Sequence, residues 1–345
     1  MDVSGVFSAA LSVAMVSLLQ PATVSELLGF MGVKQPEQLC ECTRLIVFVL
    51  LALVPAILLD VAQFHRQKRS LISKYAAAQK SSEDEEAPEG VSVVIPTYCE
   101  EGNLKELCTR VHKSLSDANI AHEIIVVDDN SPDNSVDVIR KLADEDKVPV
   151  RIIVRKNERG LSSAVMRGFA ESKYSVLQCM DADLSHPPET LPAMFTAIQS
   201  GRHEFVLGSR YIAGGRSEHT MLRYVISKGA TLLARPLVPV LSDPMSGFFA
   251  MPRHAVRRAT RVNATGFKIG LELNVRARVP ASRCTEVPIV FKDRVYGESK
   301  LAGKVYTQYL SQLAKLYVST YPGTLAAGVT VVARLAALLL AELQH

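Results

Sequence analysis

Apolar positions in this chain follow two patterns: long uninterrupted stretches towards its ends, and short runs separated by amphipathic segments between them. The second pattern begins at Val91. Val91 to Ile95 reads as a buried strand that Pro96 ends, and Leu104 to Leu115 repeats its apolar positions at helical spacing. Further strands are predicted over 123–127, 150–154, 175–180 and 205–207, with helices over 136–142, 162–171 and 189–199. Short β-branched runs between amphipathic helices imply an α/β fold, a Rossmann-like, mostly parallel sheet covered on both faces. Ligands of such sheets bind beyond the carboxyl ends of the strands. The polar clusters of the sequence fall there.

The long stretches read differently. Val3 to Ser25 carries no charge, and Leu45 to Leu59, extended by Val61 to Phe64, is almost wholly Leu, Val, Ile and Ala. Together they suit a transmembrane hairpin, each arm close to the ~20 residues a span needs. A signal peptide would carry a positive leading segment, whereas this chain starts Met-Asp. His65, Arg66, Lys68 and Arg69 follow the second span, while the loop between the spans has Lys34 and Arg44 beside Glu26, Glu37 and Glu41. The positive-inside rule then places everything after residue 65 in the cytoplasm. A third stretch, Leu316 to Ala341, is broken by Arg334, which is costly at a bilayer centre. The expected plan is a membrane anchor over 1–64, a charged linker over 65–90, the α/β domain over 91–302, an amphipathic interfacial helix over 303–321, and a hydrophobic tail over 322–345. In that helix Tyr306, Tyr309, Leu310, Leu313, Leu316 and Tyr317 make one apolar face.

Composition narrows the classes. The 345 residues are 48% hydrophobic and 21% charged, with a net charge of +4, too small to argue for nucleic acid. Mean hydropathy is +0.14, in keeping with membrane segments. Six cysteines are too sparse for a disulfide framework. Cys99, Cys108, Cys179 and Cys284 are expected to be small buried hydrophobes, and the Cys40/Cys42 pair lacks the further ligands of a metal site.

No glycine-rich phosphate turn follows any predicted strand, so neither the dinucleotide fingerprint nor the P-loop is present. The second strand ends in Asp128-Asp129-Asn130-Ser131-Pro132-Asp133, acids that could bind a nucleoside or cap a helix. The fourth ends in Asp181-Ala182-Asp183-Leu184-Ser185-His186, and alternating carboxylates there suit a hard divalent cation that also grips phosphates. A helix N-terminus near Pro188 would attract the same acids. Arg210, Arg223, Lys228, Arg294 and Lys300, on glycine-flanked loops or beside them, could close over a diphosphate or simply be solvated.

Taken together, VVIPTYCE, IVVDDNSPD, GLSSA, MDADLSHPPE, GSRYIAGG, RYVISKGA, LSDPMSGFF, TGFKIGLEL and FKDRVYGESKL resemble, in order, the dolichol-phosphate mannosyltransferases of glycosyltransferase family 2. The resemblance covers about Val91 to Tyr321 and implies a GT-A fold. It also implies transfer of mannose from GDP-mannose to dolichyl phosphate at the cytoplasmic face of the endoplasmic reticulum, for protein glycosylation and GPI-anchor synthesis. By that resemblance Pro96, Tyr98, Glu100, Val127 and Asp129 hold the guanosine, and Asp181, Ala182 and Asp183 the nucleotide and the metal, Mg²⁺ or Mn²⁺. Ser185 takes a metal-side position where some relatives carry glutamine. Arg210, Arg294 and Lys300 match residues around the diphosphate and acceptor phosphate, and Arg223 an acceptor-side arginine; Asp183, Arg210, Arg223 and Lys300 are the implied catalytic set. Cys99 and Ser162-Ser163 depart from the usual Asn and Gly-Thr.

Residues 1–64, closing in Val61-Ala62-Gln63-Phe64-His65, resemble the small tethering subunit (subunit 3) of multi-subunit relatives. The chain then carries its own anchor, with lipid bilayer, GDP-mannose and dolichyl phosphate as partners and less need of small membrane subunits. The competing readings are a polyprenyl-phosphate glucosyltransferase using UDP-glucose and a catalytically inactive membrane scaffold. The Gln-x-x-Arg-Trp motif of processive synthases is excluded, because the chain has no Trp.

Overall fold

The computed structural model describes residues 87–217, 221–260, 262, 266–291, 303–324 and 328. In chain order the elements are β1 (Val91–Thr97), α1 (Glu101–Asp117), β2 (His122–Asp128), α2 (Ser135–Asp144), β3 (Val150–Val154), α3 (Leu161–Glu171), β4 (Val176–Cys179), α4 (Leu191–Gln199), β5 (Phe205–Ser209) and β6 (Arg216–Ser217). There follow α5 (Met221–Ala234), β7 (Phe249–Pro252), α6 (Arg253–Arg258), α7 (Ile269–Arg276), β8 (Cys284–Pro288), β9 (Val290–Phe291) and α8 (Gly303–Thr320). Of the described residues, 87–313 lie in one compact unit and the remainder in a second.

Seven strands form one sheet in the order β3-β2-β1-β4-β7-β5-β8, and β7 alone runs antiparallel. β1 is buried along its whole length and β2 everywhere but at His122, which is why their centres read Val-Val-Ile and Ile-Ile-Val-Val rather than as an alternation. On one face α3 packs closely on the side chains of β1 and β2. A Cβ at Gly168 would come within 2.3 Å of Val94 Cγ1, so that position admits no side chain unless the helix moves away.

The predicted strands and helices are all present; β3 matches at both ends and the other elements differ by one to a few residues at one end or both. β7, β8 and the β6–β9 pair were not foreseen. β7 has four residues, and β8 is an edge strand whose Thr285 and Glu286 break any apolar run, so both take their place from their neighbours rather than from their own pattern. Two cysteine expectations are corrected. Cys99 is exposed, on the loop after β1, and Cys284 is half-buried where the edge strand β8 starts. Cys108 and Cys179 are buried, and burial pushes the Cys108 thiol up to about 12.

The helix expected over 303–321 is observed as α8. Tyr309, Leu313 and Leu316 are buried, while Leu310, at the margin of the same stripe, is exposed. Among the described residues no helix is long and apolar enough to cross a membrane. The anchor over 1–64, most of the linker and most of the tail lie outside the described residues.

Candidate active site

The loops leaving β1, β2 and β4 meet at one sheet edge. Parallel register sets Pro96 beside Val127 and Thr97 beside Asp128, and Val94 beside Cys179. Each loop contains one non-glycine residue in the left-handed region: Cys99 (φ 58°), Asn130 (φ 56°) and Leu184 (φ 61°). Such residues cluster where surrounding structure over-determines the backbone, as functional edges do.

Much of the acidic cluster after β2 is scaffolding. Asp128, fully buried, accepts from Ser131 N at 2.8 Å and from the Ser131 hydroxyl; that hydroxyl oxygen accepts from Cys99 N at 2.9 Å. Glu101 N donates to Asp133 Oδ2 at 3.2 Å, so the first two loops are laced together. Asp129 is clasped from the other side: Arg155 Nε donates to Oδ1 at 2.8 Å and Gly160 N to Oδ2 at 2.8 Å. Glu100 accepts from Asn103 Nδ2 at 2.7 Å, and the Arg159 guanidinium lies 5.1 Å over the Tyr98 ring. Pro96, Tyr98, Glu100, Val127 and Asp129 therefore belong to one edge, with a flat aromatic surface backed by a cation.

Beyond β4, Asp183 is buried and accepts from Ser185 N at 3.2 Å and from the Ser185 hydroxyl, both on Oδ1. The serine thus orients the carboxylate as a donor. Asp181 is 36% exposed in its side chain. Its carboxylate rests against Gly247, where a Cβ would come to 3.2 and 3.3 Å from the two oxygens. His186 is buried between the rings of Phe248 and Phe291, and its Nδ1 accepts from Asp181 N at 3.1 Å. Burial holds its pKa below the ordinary histidine value against the pull of Asp181 and Asp183, and the hydrogen bond leaves the ring proton on Nε2. His186 therefore holds the loop from behind. Among the described residues no group of three or more His, Cys, Asp or Glu forms a metal cage. Two carboxylates fit an ion such as Mg²⁺, which usually takes one or two protein carboxylates and completes its shell with water and phosphate oxygens.

The basic side of the edge is built on Arg210. Its Nε and Nη2 donate to Asp243 Oδ2 and Oδ1 at 2.6 and 2.7 Å, and its backbone N to Oδ2 at 3.1 Å. Burial opposes the guanidinium charge, but the fully buried Asp243 outweighs it and raises the pKa of Arg210. Next to it an open groove is lined by Arg210, Tyr211, Arg216 and Lys228, with the Lys228 ammonium 3.4 Å over the Tyr211 ring. Lys268 Nζ donates to Met245 O at 2.8 Å, and burial pulls its pKa below the lysine range, opposed by Asp181 and Asp243. Arg223 lies on α5, while Arg294 and Lys300 fall outside the described residues.

Arg155, Asp243, Gly247 and Lys268 were missed as individual site residues. Asp243 and Gly247 sit in LSDPMSGFF and Lys268 in TGFKIGLEL, but nothing in their spacing ties them to Asp181 or Arg210, since 33 residues separate Arg210 from Asp243.

The profile described as glycosyl transferase family 2 matches residues 92–259. The chain is 48% identical to a dolichol-phosphate mannosyltransferase of Mycosarcoma maydis over 233 residues, covering 66% of this chain and 78% of that protein. A Saccharomyces cerevisiae protein of the same name is also 48% identical, over 235 residues, covering 66% and 86%. One from Pyrococcus furiosus is 44% identical over 230 residues, with 66% and 63% covered. Among solved structures, glucosyl-3-phosphoglycerate synthase from Mycobacterium tuberculosis in complex with phosphoglyceric acid matches with a TM-score of 0.52 at 21% identity, covering 67% of this chain and 81% of that one. The same enzyme with Mn²⁺, uridine-diphosphate-glucose and phosphoglyceric acid matches with a TM-score of 0.53 at 18% identity, covering 69% and 81%. At such identity the likeness is one of fold, a GT-A-like α/β architecture.

Proposed function

The chain belongs to glycosyltransferase family 2, among the dolichol-phosphate mannosyltransferases, and on that footing we propose how its residues carry out the reaction. It transfers mannose to dolichyl phosphate, with GDP-mannose as the donor. The observation that carries the mechanism is the meeting of Asp181 and Asp183 with Arg210 and Lys268 at one edge, where Lys268 and Arg210 both feel the Asp181 charge.

The guanosine lies along Pro96, Tyr98, Glu100, Val127 and Asp129, with the base against the Tyr98–Arg159 surface. Asp181 and Asp183 would hold Mg²⁺ or Mn²⁺, an ion that would supply positive charge against a diphosphate. Ser185 orients Asp183, and His186, neutral at pH 7, fixes the Asp181 backbone. Arg210 faces the same diphosphate, held in register by Asp243. By their match to the family, Arg294 and Lys300 would answer charge on the diphosphate and acceptor phosphate, with Arg223 and Lys228 on the acceptor side. The acceptor is a phosphate, already anionic near pH 7, so no strong base is needed. Its oxygen forms the new bond to the mannose anomeric carbon as the bond to the GDP oxygen breaks, inverting the centre. The site's work is positioning and charge stabilisation.

A bilayer-apposed site suits a lipid acceptor. Ile226, Leu232 and Leu233 of α5, Val240 after it and Leu310 of α8 are exposed apolar side chains. Tyr309 Oη donates to Ala230 O at 2.7 Å and ties α8 to α5. Such a surface lowers the headgroup end of a polyprenyl phosphate to the active edge. In this reading 1–64 anchors the chain in the endoplasmic reticulum membrane, 65–90 is the linker, 91–302 the cytoplasmic catalytic domain, 303–321 the interfacial helix and 322–345 a hydrophobic tail. The fused anchor lessens the need for separate small membrane subunits.

The test is incubation of the detergent-purified full chain with dolichyl phosphate, Mg²⁺ or Mn²⁺, and either GDP-mannose or UDP-glucose. Lipid-linked sugar is expected from GDP-mannose alone and only with the metal; product from UDP-glucose alone would overturn the donor. Asp183→Ala should reduce turnover by ~10²-fold or more with an unchanged circular dichroism spectrum. Unimpaired turnover in that variant would remove the metal assignment.

A further inference from the structure

We infer that Gln312 of α8 is a positioning residue for the diphosphate side of the active edge, acting through Lys268; this rests on the family reaction at that edge. Lys268 stands at the start of α7, and its ammonium donates to Met245 O at 2.8 Å. Met245 lies between Asp243 and Gly247. Asp243 holds the Arg210 guanidinium, and Gly247 abuts both Asp181 oxygens. One ammonium thus pins a short segment whose ends touch the basic and the acidic sides of the site. A charge on a long, rotatable stem is placed only as exactly as the shell around it allows.

The backbone of Lys268 is held by that one side chain of α8. Gln312 Oε1 accepts from Lys268 N at 3.4 Å and Gln312 Nε2 donates to Lys268 O at 3.3 Å, so the carboxamide pairs with both peptide groups of a single residue. Nε2 also donates to Glu272 Oε2 at 2.9 Å, one turn further along α7. Glu272 is fully buried and accepts on its other oxygen from Arg276 Nε at 3.0 Å. Both amide hydrogens and the amide oxygen of Gln312 are therefore engaged. Gly266 makes the slot: a Cβ there would come within 2.5 Å of Gln312 Cδ. The Gly266 carbonyl in turn accepts from the Ser162 hydroxyl of α3. Gln312 shares its helix face with Tyr309 and Leu313, and all three are buried. Packing alone would favour a third apolar side chain at that position. A buried carboxamide is stable there because its partners are arranged to meet it.

The experiment measures ligand binding by the detergent-purified full chain in Mn²⁺, read as the shift of its unfolding midpoint. The probes are GDP, UDP and their nucleosides, guanosine and uridine. Gln312→Met keeps the side-chain volume and removes all three hydrogen bonds. It should raise the half-saturating GDP concentration about fivefold or more, the size of one lost hydrogen bond, and leave that of guanosine unchanged. A merely structural role would lower the midpoint of the unliganded chain and move neither concentration. That result, or an equal loss for GDP and guanosine, overturns the inference. Should Gln312→Met fail to fold, Gly266→Ala pushes the same amide aside without deleting it and is judged by the same ratio. UDP separates the inference from the donor. If the unmodified chain binds UDP and not GDP, and Gln312→Met weakens UDP but not uridine, Gln312 keeps its role and the GDP-mannose reading falls. Binding of neither diphosphate overturns both.

Discussion

Asp243 offers the sharpest test of how the basic side of the site is built. Its carboxylate is fully buried and receives three donors from one residue, Arg210, whose side chain is only 8% exposed. Asp243→Ala leaves that guanidinium buried without its carboxylate, a loss of about 3–5 kcal/mol. Against a total stability of about 5–15 kcal/mol, that is a large fraction. Replacing both partners by apolar residues, Asp243→Leu with Arg210→Met, removes the stranded charge as well as the pair. The double variant should therefore recover about 2 kcal/mol or more relative to the sum of the single losses. Urea unfolding followed by tyrosine fluorescence and circular dichroism measures this, since the chain has ten Tyr and no Trp to dominate the signal. Transfer should be lost in every one of these variants, because none keeps an oriented Arg210. Additivity within about 0.5 kcal/mol, or a double variant that still transfers mannose, would refute the reasoning.

Gly247→Ala would put a methyl group 3.2–3.3 Å from both Asp181 oxygens, so metal-dependent turnover should fall at least tenfold with a small change in unfolding midpoint; normal turnover would separate Asp181 from the site. Cys99 holds a left-handed backbone at φ 58°, which Asn tolerates better, so Cys99→Asn should raise stability by about 0.5–1 kcal/mol in denaturant titration. Burial alone would raise the pKa of Glu204, but His254, Arg258 and Arg283 bring it from 4.5 down to about 2. A depressed carboxylate stabilises the fold above its unfolded pKa and loses that contribution as pH falls through its folded one. Glu204 thus contributes on the order of 3 kcal/mol above pH 4.5, lost towards pH 2, and Glu204→Gln should flatten the stability–pH curve across that window.

The α/β class, the parallel strands β1 to β5 and the carboxylates at their ends were legible in the sequence because each is a local property. A strand buried on both faces is mainly apolar, and a polar cluster just after it falls at the sheet edge. Asp181 and Asp183 announced themselves in this way, two residues apart after a strand. What tertiary structure alone decided is which charges meet. Asp128 and Asp129 are adjacent and chemically identical, yet one is buried under Ser131 as a loop brace and the other is clasped by Arg155 and Gly160. The context of Arg210 fitted either a solvated loop cation or one closing over a diphosphate, and only the structure pairs it with Asp243, which follows α5 in the chain. Likewise the antiparallel β7, too short to show a pattern, is set between β4 and β5 by its neighbours and carries Gly247 to the Asp181 carboxylate. Hydrophobic periodicity records how a segment meets the core. Partners across a buried ion pair are chosen by strand order and loop path, and those depend on the whole chain at once.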